Sequence, residues 1–277
     1  MKNYYKDVVE GFGKEWTKFN YSNSSIAEQK NILNNYFKIF PWDLIDKSKS
    51  VGIDIGCGSG RWAYFISEKT SKLILLDASS SALEVAKKNL EKKDNVSFLN
   101  QSVGEIKITD NSIDFAYSLG VLHHIPDISN GLREINRIIK PGSPLLLYLY
   151  YNFDNKPVYY KVIWMVTNPL RFVISRLPFK VKFLISQVIA FFIYFPLARL
   201  SKLLKKLGLN TENFPMNQYQ DLSLYVMRTD ALDRFGTKIE KRFSRKQIQK
   251  ILEESNFENI KFSEDAPYWC CVGYKKK

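Results

Sequence analysis

The residues with the clearest chemical potential lie in the stretch VGIDIGCGSG. A β-branched run there ends near Asp54, and Gly56, Gly58 and Gly60 follow at two-residue spacing. Glycine permits positive φ and lets the backbone approach a ligand closely. A dinucleotide-binding turn has the spacing G-x-G-x-x-G and faces a pyrophosphate, so the third glycine here comes one residue early. Asp54 would repel a pyrophosphate, whereas it would attract an ammonium or sulfonium group.

A second acid supports a ligand of this kind. Asp77 ends the run SKLILLD, which is predicted to be the next strand, and a carboxylate there can accept hydrogen bonds from both ribose hydroxyls. The expected ligand therefore has a ribose and a positive charge but no phosphates, and S-adenosylmethionine fits this description. An alternative stays open at both positions, because either acid can instead cap the helix that follows it.

The elements that must position these acids alternate between strand and helix signals from residue 50 to residue 151. The pattern stops over residues 152–241 and resumes with one helix and two strands near the end. Such alternation predicts an α/β fold with a doubly wound, mostly parallel seven-stranded sheet and a helical insertion. The last two strands must pair antiparallel, because the loop between them is too short for a crossover helix. Ligands of such sheets bind at the carboxyl ends of the strands.

Four motifs occur in order within this alternating region. They are DIGCGSG (54–60), LLDAS (75–79), DNSIDFAYSLGVLHHIPD (110–127) and IIKPGSPLLLYLY (138–150). Together they resemble the class I S-adenosylmethionine-dependent methyltransferases. The resemblance covers roughly residues 50–151. It implies a Rossmann-like fold and transfer of a methyl group from S-adenosylmethionine, which leaves S-adenosylhomocysteine.

The resemblance also implies the positions of the cofactor-binding residues. The glycine loop would hold the methionine moiety, and Asp77 the ribose. The pair Ser102-Val103 stands where the family usually has an acid that recognises the adenine amino group, so Ser102 Oγ or backbone atoms would have to serve. The aromatic N-terminal segment would close over the cofactor or, alternatively, pack against the sheet edge. The implied cofactor site comprises Asp54, Gly56, Cys57, Gly58, Gly60, Asp77, Ala78, Ser102, Val103, Leu119 and Trp16.

The two histidines, His123 and His124, are the candidate catalytic residues. Imidazole titrates near neutrality and can take a proton from a hydroxyl nucleophile. In similar enzymes the second position of this pair lines the active site, which favours His124. A structural role for the pair stays open, as does methyl transfer by proximity alone. We expect no metal site, because two adjacent histidines lack a third ligand at fitting spacing.

Four segments follow from these patterns. We expect an N-terminal lid over residues 1–48, a cofactor-binding core over 49–151, an insertion over 152–241 and the rest of the core over 242–277. The insertion must determine the acceptor, because it leaves the carboxyl end of the fifth strand. The candidate substrate residues are Tyr151, Tyr219, Arg228 and Arg234.

The insertion has an unusual composition. Between Lys156 and Thr211 it contains ten lysines and arginines, no acid, and the apolar blocks VIWMV, FVIS and FLISQVIAFFIYFPLA. These blocks are predicted to be too short for a membrane span, which needs about twenty apolar residues. Two interpretations remain open. Either the insertion is a basic helical hairpin in the membrane interface, or it is a helical cap over a substrate.

The net charge of +13 indicates anionic surroundings such as a membrane surface or nucleic acid. Nucleic acid is disfavoured, because the blocks are too aliphatic for a base-stacking surface. Three cysteines without a disulfide framework and the absence of a secretion signal indicate the cytoplasm, with a peripheral place on the inner face of the membrane as an option. The predicted function is methylation of a small-molecule, lipid or lipid-linked acceptor. The alternatives are an RNA methyltransferase and a non-catalytic S-adenosylmethionine-binding protein.

Overall fold

A computed structural model describes residues 3–21 and 24–277 of the chain. The chain divides into two compact units. The first comprises Met1–Tyr151 with Lys241–Lys277, and the second comprises Asn152–Glu240.

The first unit is built on a seven-stranded sheet. Its strands are β1 (Val51–Ile55), β2 (Lys72–Asp77), β3 (Val96–Asn100), β4 (Phe115–Leu119), β5 (Pro144–Tyr148), β6 (Phe257–Phe262) and β7 (Cys271–Lys275). Their order is β3-β2-β1-β4-β5-β7-β6. Strands β1 to β5 are parallel, and β7 is antiparallel to both β5 and β6. The predicted fold class is confirmed.

The helices lie on both faces of the sheet and in the second unit. Those of the first unit are α1 (Lys6–Lys18), α2 (Ile26–Tyr36), α3 (Ala63–Ile66), α4 (Ser80–Asn89), α5 (Ile128–Ile138) and α10 (Arg245–Glu254); those of the second are α6 (Val158–Ile174), α7 (Phe179–Ile189), α8 (Phe195–Lys206) and α9 (Leu224–Gly236). A short 3₁₀ turn, Leu122–His124, follows β4.

The strand sequences explain why the sheet is covered on both faces. In β5, Leu145 and Leu147 belong to one buried apolar cluster, while Leu146 belongs to the cluster on the opposite face. Such continuous apolar runs are typical of parallel strands buried on both sides. Because the strand order reverses between β1 and β4, a crevice opens at their carboxyl ends, which is the usual ligand position in sheets of this kind.

Helix α3 is shorter than the sequence predicts. The alternation of strands and helices predicts a helix over RWAYFISEKT, directly after the glycine loop, but α3 has four residues and continues as a 3₁₀ turn, Ser67–Lys69. The Ser67 hydroxyl donates to the Tyr64 carbonyl (3.1 Å), and Thr70 is already extended with φ −143°. Serine and threonine side chains of this kind compete with regular helical hydrogen bonding.

The second unit has a core of its own. Residues from α6, α7, α8 and the connection between α7 and α8 pack with α9. The buried members are Ile174, Ile189, Ala190, Tyr194, Ala198, Met227, Ala231 and Phe235. One π-helical turn, Ala190–Tyr194, joins α7 to α8. The two helices therefore form one continuous helix, which we call α7–α8.

The prediction that the apolar blocks are too short to span a membrane is wrong, because the helix that contains the last block is longer than the block itself. Helix α7–α8 runs over 28 residues from Phe179 to Lys206, and by length and composition alone it could cross a membrane. Proline lacks the N–H that an α-helix needs. Pro196 does not end this helix, because it lies in the first turn of α8, directly after the π-helical turn.

Candidate active site

A cleft lies in the first unit at the carboxyl ends of β1, β2 and β4, and its volume of about 770 Å³ includes space that is open to solvent. The cleft brings together eight of the predicted site residues, namely Trp16, Gly56, Asp77, Ala78, Ser102, Val103, Leu119 and His124.

The other predicted residues lie elsewhere. Asp54, Cys57, Gly58, Gly60 and His123 belong to the same unit but do not line the cleft. Tyr151 forms an isolated bridge with Phe243. Tyr219, Arg228 and Arg234 lie in the second unit and bond within it, to Asp230 (3.0 Å), Gln187 and Thr167 (3.5 Å) respectively. The roles proposed for these residues stay predictions.

The glycine loop follows β1 and is attached to the end of β2. The backbone N–H groups of Gly56 and Cys57 both donate to the Leu76 carbonyl (2.7 and 3.1 Å). Gly58 has φ +54°, and a Cβ placed on it would lie 2.7 Å from Cε2 of Trp16. Only glycine therefore allows both this backbone conformation and this close approach of the indole.

We expect Gly58→Ala to lower the midpoint of thermal unfolding, because a non-glycine residue at this φ costs about 1–2 kcal/mol and must also displace Trp16. Gly11→Ala is the matched control, since Gly11 lies in α1 with open space around its Cβ position; alanine there should be neutral or slightly stabilising. Tryptophan fluorescence should shift in Gly58→Ala only. Equal unfolding midpoints for the two variants would contradict this packing.

Asp77 is held in place by the loop that it faces. Its two carboxylate oxygens accept from the backbone N–H groups of Gly58 (2.9 Å) and Ser79 (2.8 Å). Burial raises the pKa of Asp77, and these two hydrogen bonds oppose that rise. Each carboxylate oxygen can accept a second hydrogen bond, so Asp77 is oriented and still able to bind two hydroxyls.

Asp54 lies in β1, and its side chain is buried. Burial is the main cause that raises its pKa to about 8, with a smaller contribution from the charge of Asp77. The Tyr117 hydroxyl donates to Asp54 Oδ2 (2.9 Å) and partly offsets that rise, as does the charge of Arg61. Asp54 is therefore largely protonated at neutral pH, and a neighbouring cation would ionise it.

The N-terminal segment lines the cleft and is anchored there by a residue that the sequence did not reveal. Asn3 is 6% exposed, and its Nδ2 donates to the Asp127 carbonyl (2.7 Å) and to Asn130 Oδ1 (3.1 Å). The Asp127 N–H donates back to Asn3 Oδ1 (2.9 Å). A single polar residue beside two tyrosines carries no sequence signal of such long-range contacts.

Ser102 is also engaged by this segment. Its hydroxyl donates to the Asn3 carbonyl (3.4 Å) and accepts from the Gly104 N–H (3.3 Å). Gln101, which sequence reasoning missed, lines the same part of the cleft. The adenine contact predicted for Ser102 stays a prediction.

The two histidines have different environments. His124 lines the cleft, and its ring lies 5.0 Å from that of Phe12. His123 is completely buried and stacks on Tyr150 at 3.9 Å. Burial lowers the pKa of His123 well below its ordinary value, so this ring is neutral at pH 7. The geometry therefore gives His124 access to a ligand in the cleft. In residues 3–21 and 24–277 no group of three His, Cys, Asp or Glu side chains is arranged to hold a metal ion.

Comparison with known protein families agrees with this arrangement. Residues 53–147 match the family described as "Methyltransferase domain". A demethylmenaquinone methyltransferase of Staphylococcus aureus is 32% identical over 94 residues, which are 33% of this chain and 39% of that protein. The corresponding protein of Staphylococcus saprophyticus is 28% identical over 130 residues, which are 45% of this chain and 55% of that protein. The chain thus covers only about half the length of these relatives.

Solved structures share the fold over nearly the whole chain. A SAM-dependent methyltransferase of Thermotoga maritima has a TM-score of 0.51 at 16% identity and covers 97% of this chain and 100% of its own. A methyltransferase complex of Haloferax volcanii that contains the Trm112 activator gives 0.54 at 13% identity, covering 96% of this chain and 98% of the matched chain.

These findings define the fold of the protein and the class of its residues 53–147. Its sheet has the class I methyltransferase topology. The segment from residue 53 to residue 147 is a methyltransferase domain of the S-adenosylmethionine-dependent class. The predicted family and the predicted cofactor are confirmed for this domain.

Proposed function

We propose that the protein transfers a methyl group from S-adenosylmethionine to a lipid-soluble, quinone-like acceptor. The observation that carries this proposal is a single cleft that combines Asp77 and Gly56 with His124. The first two would bind the cofactor, and the third is a group that can hold a proton. The names of the staphylococcal relatives support an acceptor of the demethylmenaquinone kind.

The residues of the cleft fit the cofactor. Asp77 presents two oriented carboxylate oxygens, as two adjacent ribose hydroxyls require. Gly56 lines the same cleft, and a Cβ placed on it would lie 2.5 Å from Cγ1 of Val121, so glycine keeps the loop backbone open to a ligand. When bound, S-adenosylmethionine supplies an electrophilic methyl group on a sulfonium.

His124 would act on the acceptor. An aromatic hydroxyl becomes a stronger nucleophile, and activates its ring carbons, when a base removes its proton. His124 Nδ1 or Nε2 can accept that proton, and the apolar residues around it exclude water from the reacting groups. The neighbouring apolar side chains of the cleft are Val8, Val9, Phe12, Leu119, Val121 and Ile125. An apolar lining of this kind suits an apolar acceptor ring.

We propose a cytoplasmic location, peripheral on the inner face of the membrane, where a lipid-soluble acceptor is available. The net charge of +13 supports this, since the inner leaflet attracts basic segments. Nucleic acid remains the less favoured anionic partner.

The proposal is tested by incubating the purified protein with S-adenosylmethionine and three acceptor pools in parallel. The pools are demethylmenaquinone in its reduced form, total RNA, and water-soluble metabolites. We expect mass spectrometry to detect a quinone heavier by one CH₂ unit, and no such product with Asp77→Asn. Methylated RNA with an unchanged quinone would replace the proposal by the RNA alternative. Cofactor binding without any methylated product would favour a non-catalytic binding protein.

We also expect affinity for S-adenosylmethionine to depend on pH through Asp54. Its folded-state pKa of about 8 lies above the ordinary value of 3.8, so this group binds a proton on folding. Its contribution to the stability of the ligand-free protein is therefore lost as pH rises between these two values. A bound cation favours the ionised form and lowers this pKa, so affinity should rise from about pH 6 to about pH 8 and level off above it.

Calorimetry in buffers of different ionisation enthalpy should detect proton release on binding at neutral pH. Tyr117→Phe removes the hydrogen bond that opposes the raised pKa, and should move the pH dependence upward. An affinity that is constant over this pH range, with no proton released, would show that Asp54 does not respond to the cofactor.

A further inference from the structure

Two helices of the second unit expose large apolar side chains to solvent. Among the most exposed side chains are Met165 (65%) and Val166 (72%) in α6, and Leu184 (64%), Phe192 (69%) and Leu207 (68%) along and just after α7–α8. With Phe172 in α6 (53%), we call these six residues the apolar face. Each of the two helices thus exposes several large apolar side chains, which is unusual in a monomeric soluble protein.

The core of the unit does not need the apolar face. The buried side of α7–α8 is formed by Ile189, Tyr194 and Ala198, which pack with Met227 and Phe235 of α9. Helix α7–α8 therefore already buries one side, and α6 contributes Ile174 to the same core; the apolar face is additional surface. Large exposed apolar surface of this kind usually marks a site that meets a membrane or another protein.

Basic residues flank the apolar part of α7–α8. Arg176 and Lys180 lie at its amino end, and Lys205 and Lys206 lie at its carboxyl end; all four are exposed. No acid occurs between Lys156 and Thr211. Lys202 adds less to this positive charge, because its ammonium group pairs with the carboxylate of Asp221 (2.9 Å). A surface that is apolar in the middle and cationic at the ends is complementary to acyl chains below anionic lipid headgroups.

We propose that the apolar face is a docking surface for an anionic phospholipid bilayer. The helices lie in the interface, with apolar side chains at the headgroup–acyl boundary and lysines on lipid phosphates. A second copy of the chain is the less favourable occupant. In a two-fold dimer the same face meets itself, so these uncompensated cations would repel each other, whereas anionic lipids attract them.

The structure favours lying in the interface over crossing the bilayer, although α7–α8 is long enough to cross. Its inward side carries Ser186, Gln187 and Ser201. Arg228 of α9 donates to Gln187, and Asp230 lies on the same helix. Crossing would either remove α9 from its packing partner or draw its charged residues into hydrocarbon, which is costly.

Vesicle sedimentation tests the docking surface. At about 0.05 M salt we expect the protein to sediment with phosphatidylglycerol-containing vesicles and much less with pure phosphatidylcholine. The lysine contribution should weaken at about 0.5 M salt, because the screening length shortens severalfold. The joint variant Val166→Asp with Phe192→Asp should lower the partition coefficient at least about tenfold, since it places two charges in the apolar boundary. Lys205→Gln with Lys206→Gln should lower it on anionic vesicles only.

The control is Ile26→Asp with Leu44→Asp, which replaces two exposed apolar residues of the first unit (61% and 58% exposed) and should leave binding unchanged. The docking inference goes beyond the proposed methyl transfer. S-adenosylmethionine affinity should be the same in all of these variants, so failure of docking is distinguishable from failure of the proposed function.

Three results would overturn the inference. The first is a protein that stays in solution with anionic vesicles at low salt. The second is a dimer in sedimentation velocity that the Val166→Asp, Phe192→Asp variant dissociates, without vesicle binding by the wild type. The third is wild-type protein that resists extraction from vesicles by alkaline carbonate, as a spanning helix does.

Discussion

Asp77→Asn is expected to weaken S-adenosylmethionine binding about 100-fold or more. Asp77 is oriented by N–H groups of Gly58 and Ser79, and its remaining acceptor capacity suits two ribose hydroxyls. Hydrogen bonds to a charged group are worth about 1.5–3 kcal/mol each. Losing the equivalent of two such hydrogen bonds weakens the binding free energy by at least about 3 kcal/mol. This corresponds to about two orders of magnitude in the dissociation constant.

Isothermal titration calorimetry measures this effect. Asp94→Asn is the matched control, because Asp94 is an exposed acid of the same unit and should leave affinity unchanged. The thermal midpoint of Asp77→Asn separates a binding defect from loss of the loop structure. A folded Asp77→Asn protein with wild-type affinity would exclude Asp77 from the cofactor site.

His124→Ala is expected to lower turnover about 10²- to 10⁴-fold, the usual contribution of a general base, when the acceptor carries a hydroxyl. The dissociation constant of S-adenosylmethionine should change little, because a base that acts on the acceptor contributes to the transition state rather than to cofactor binding. Single-turnover rates and calorimetry measure the two quantities. Imidazole in the buffer should restore part of the rate.

His123→Phe distinguishes the two histidines. His123 is buried and stacks on Tyr150, and phenylalanine can keep that stacking. We therefore expect near wild-type turnover from this variant. A loss in His123→Phe equal to that in His124→Ala would assign the chemistry to both rings. Unchanged turnover in His124→Ala would leave proximity as the source of the rate.

The sequence predicts much of the first unit, because its signals are local. Alternating strand and helix patterns lead to the parallel sheet, and the short loop before β7 leads to its antiparallel pairing. The acid that ends β2 and the glycines after β1 lie at one edge of the sheet, because β1 and β2 are neighbouring parallel strands. Asp77 and Gly56 therefore line the observed cleft, as their place in the sheet requires.

Features that depend on distant contacts were not predictable in this way. Asn3 bonds across 124 residues to Asp127, and no local pattern marks such a contact. The protonation of Asp54 depends on burial by neighbours that the sequence does not place beside it. Helices α7 and α8 are continuous through one π-helical turn before Pro196, and no local sequence pattern marks such a turn.

The most direct test of the central claim is transfer of a labelled methyl group. The protein is incubated with S-adenosylmethionine labelled in its methyl group and with bacterial membrane extract, and the label is then separated into organic, aqueous and RNA fractions. We predict that label accumulates in the organic fraction with the wild-type protein and not with Asp77→Asn. Label confined to RNA or to water-soluble products would contradict the account.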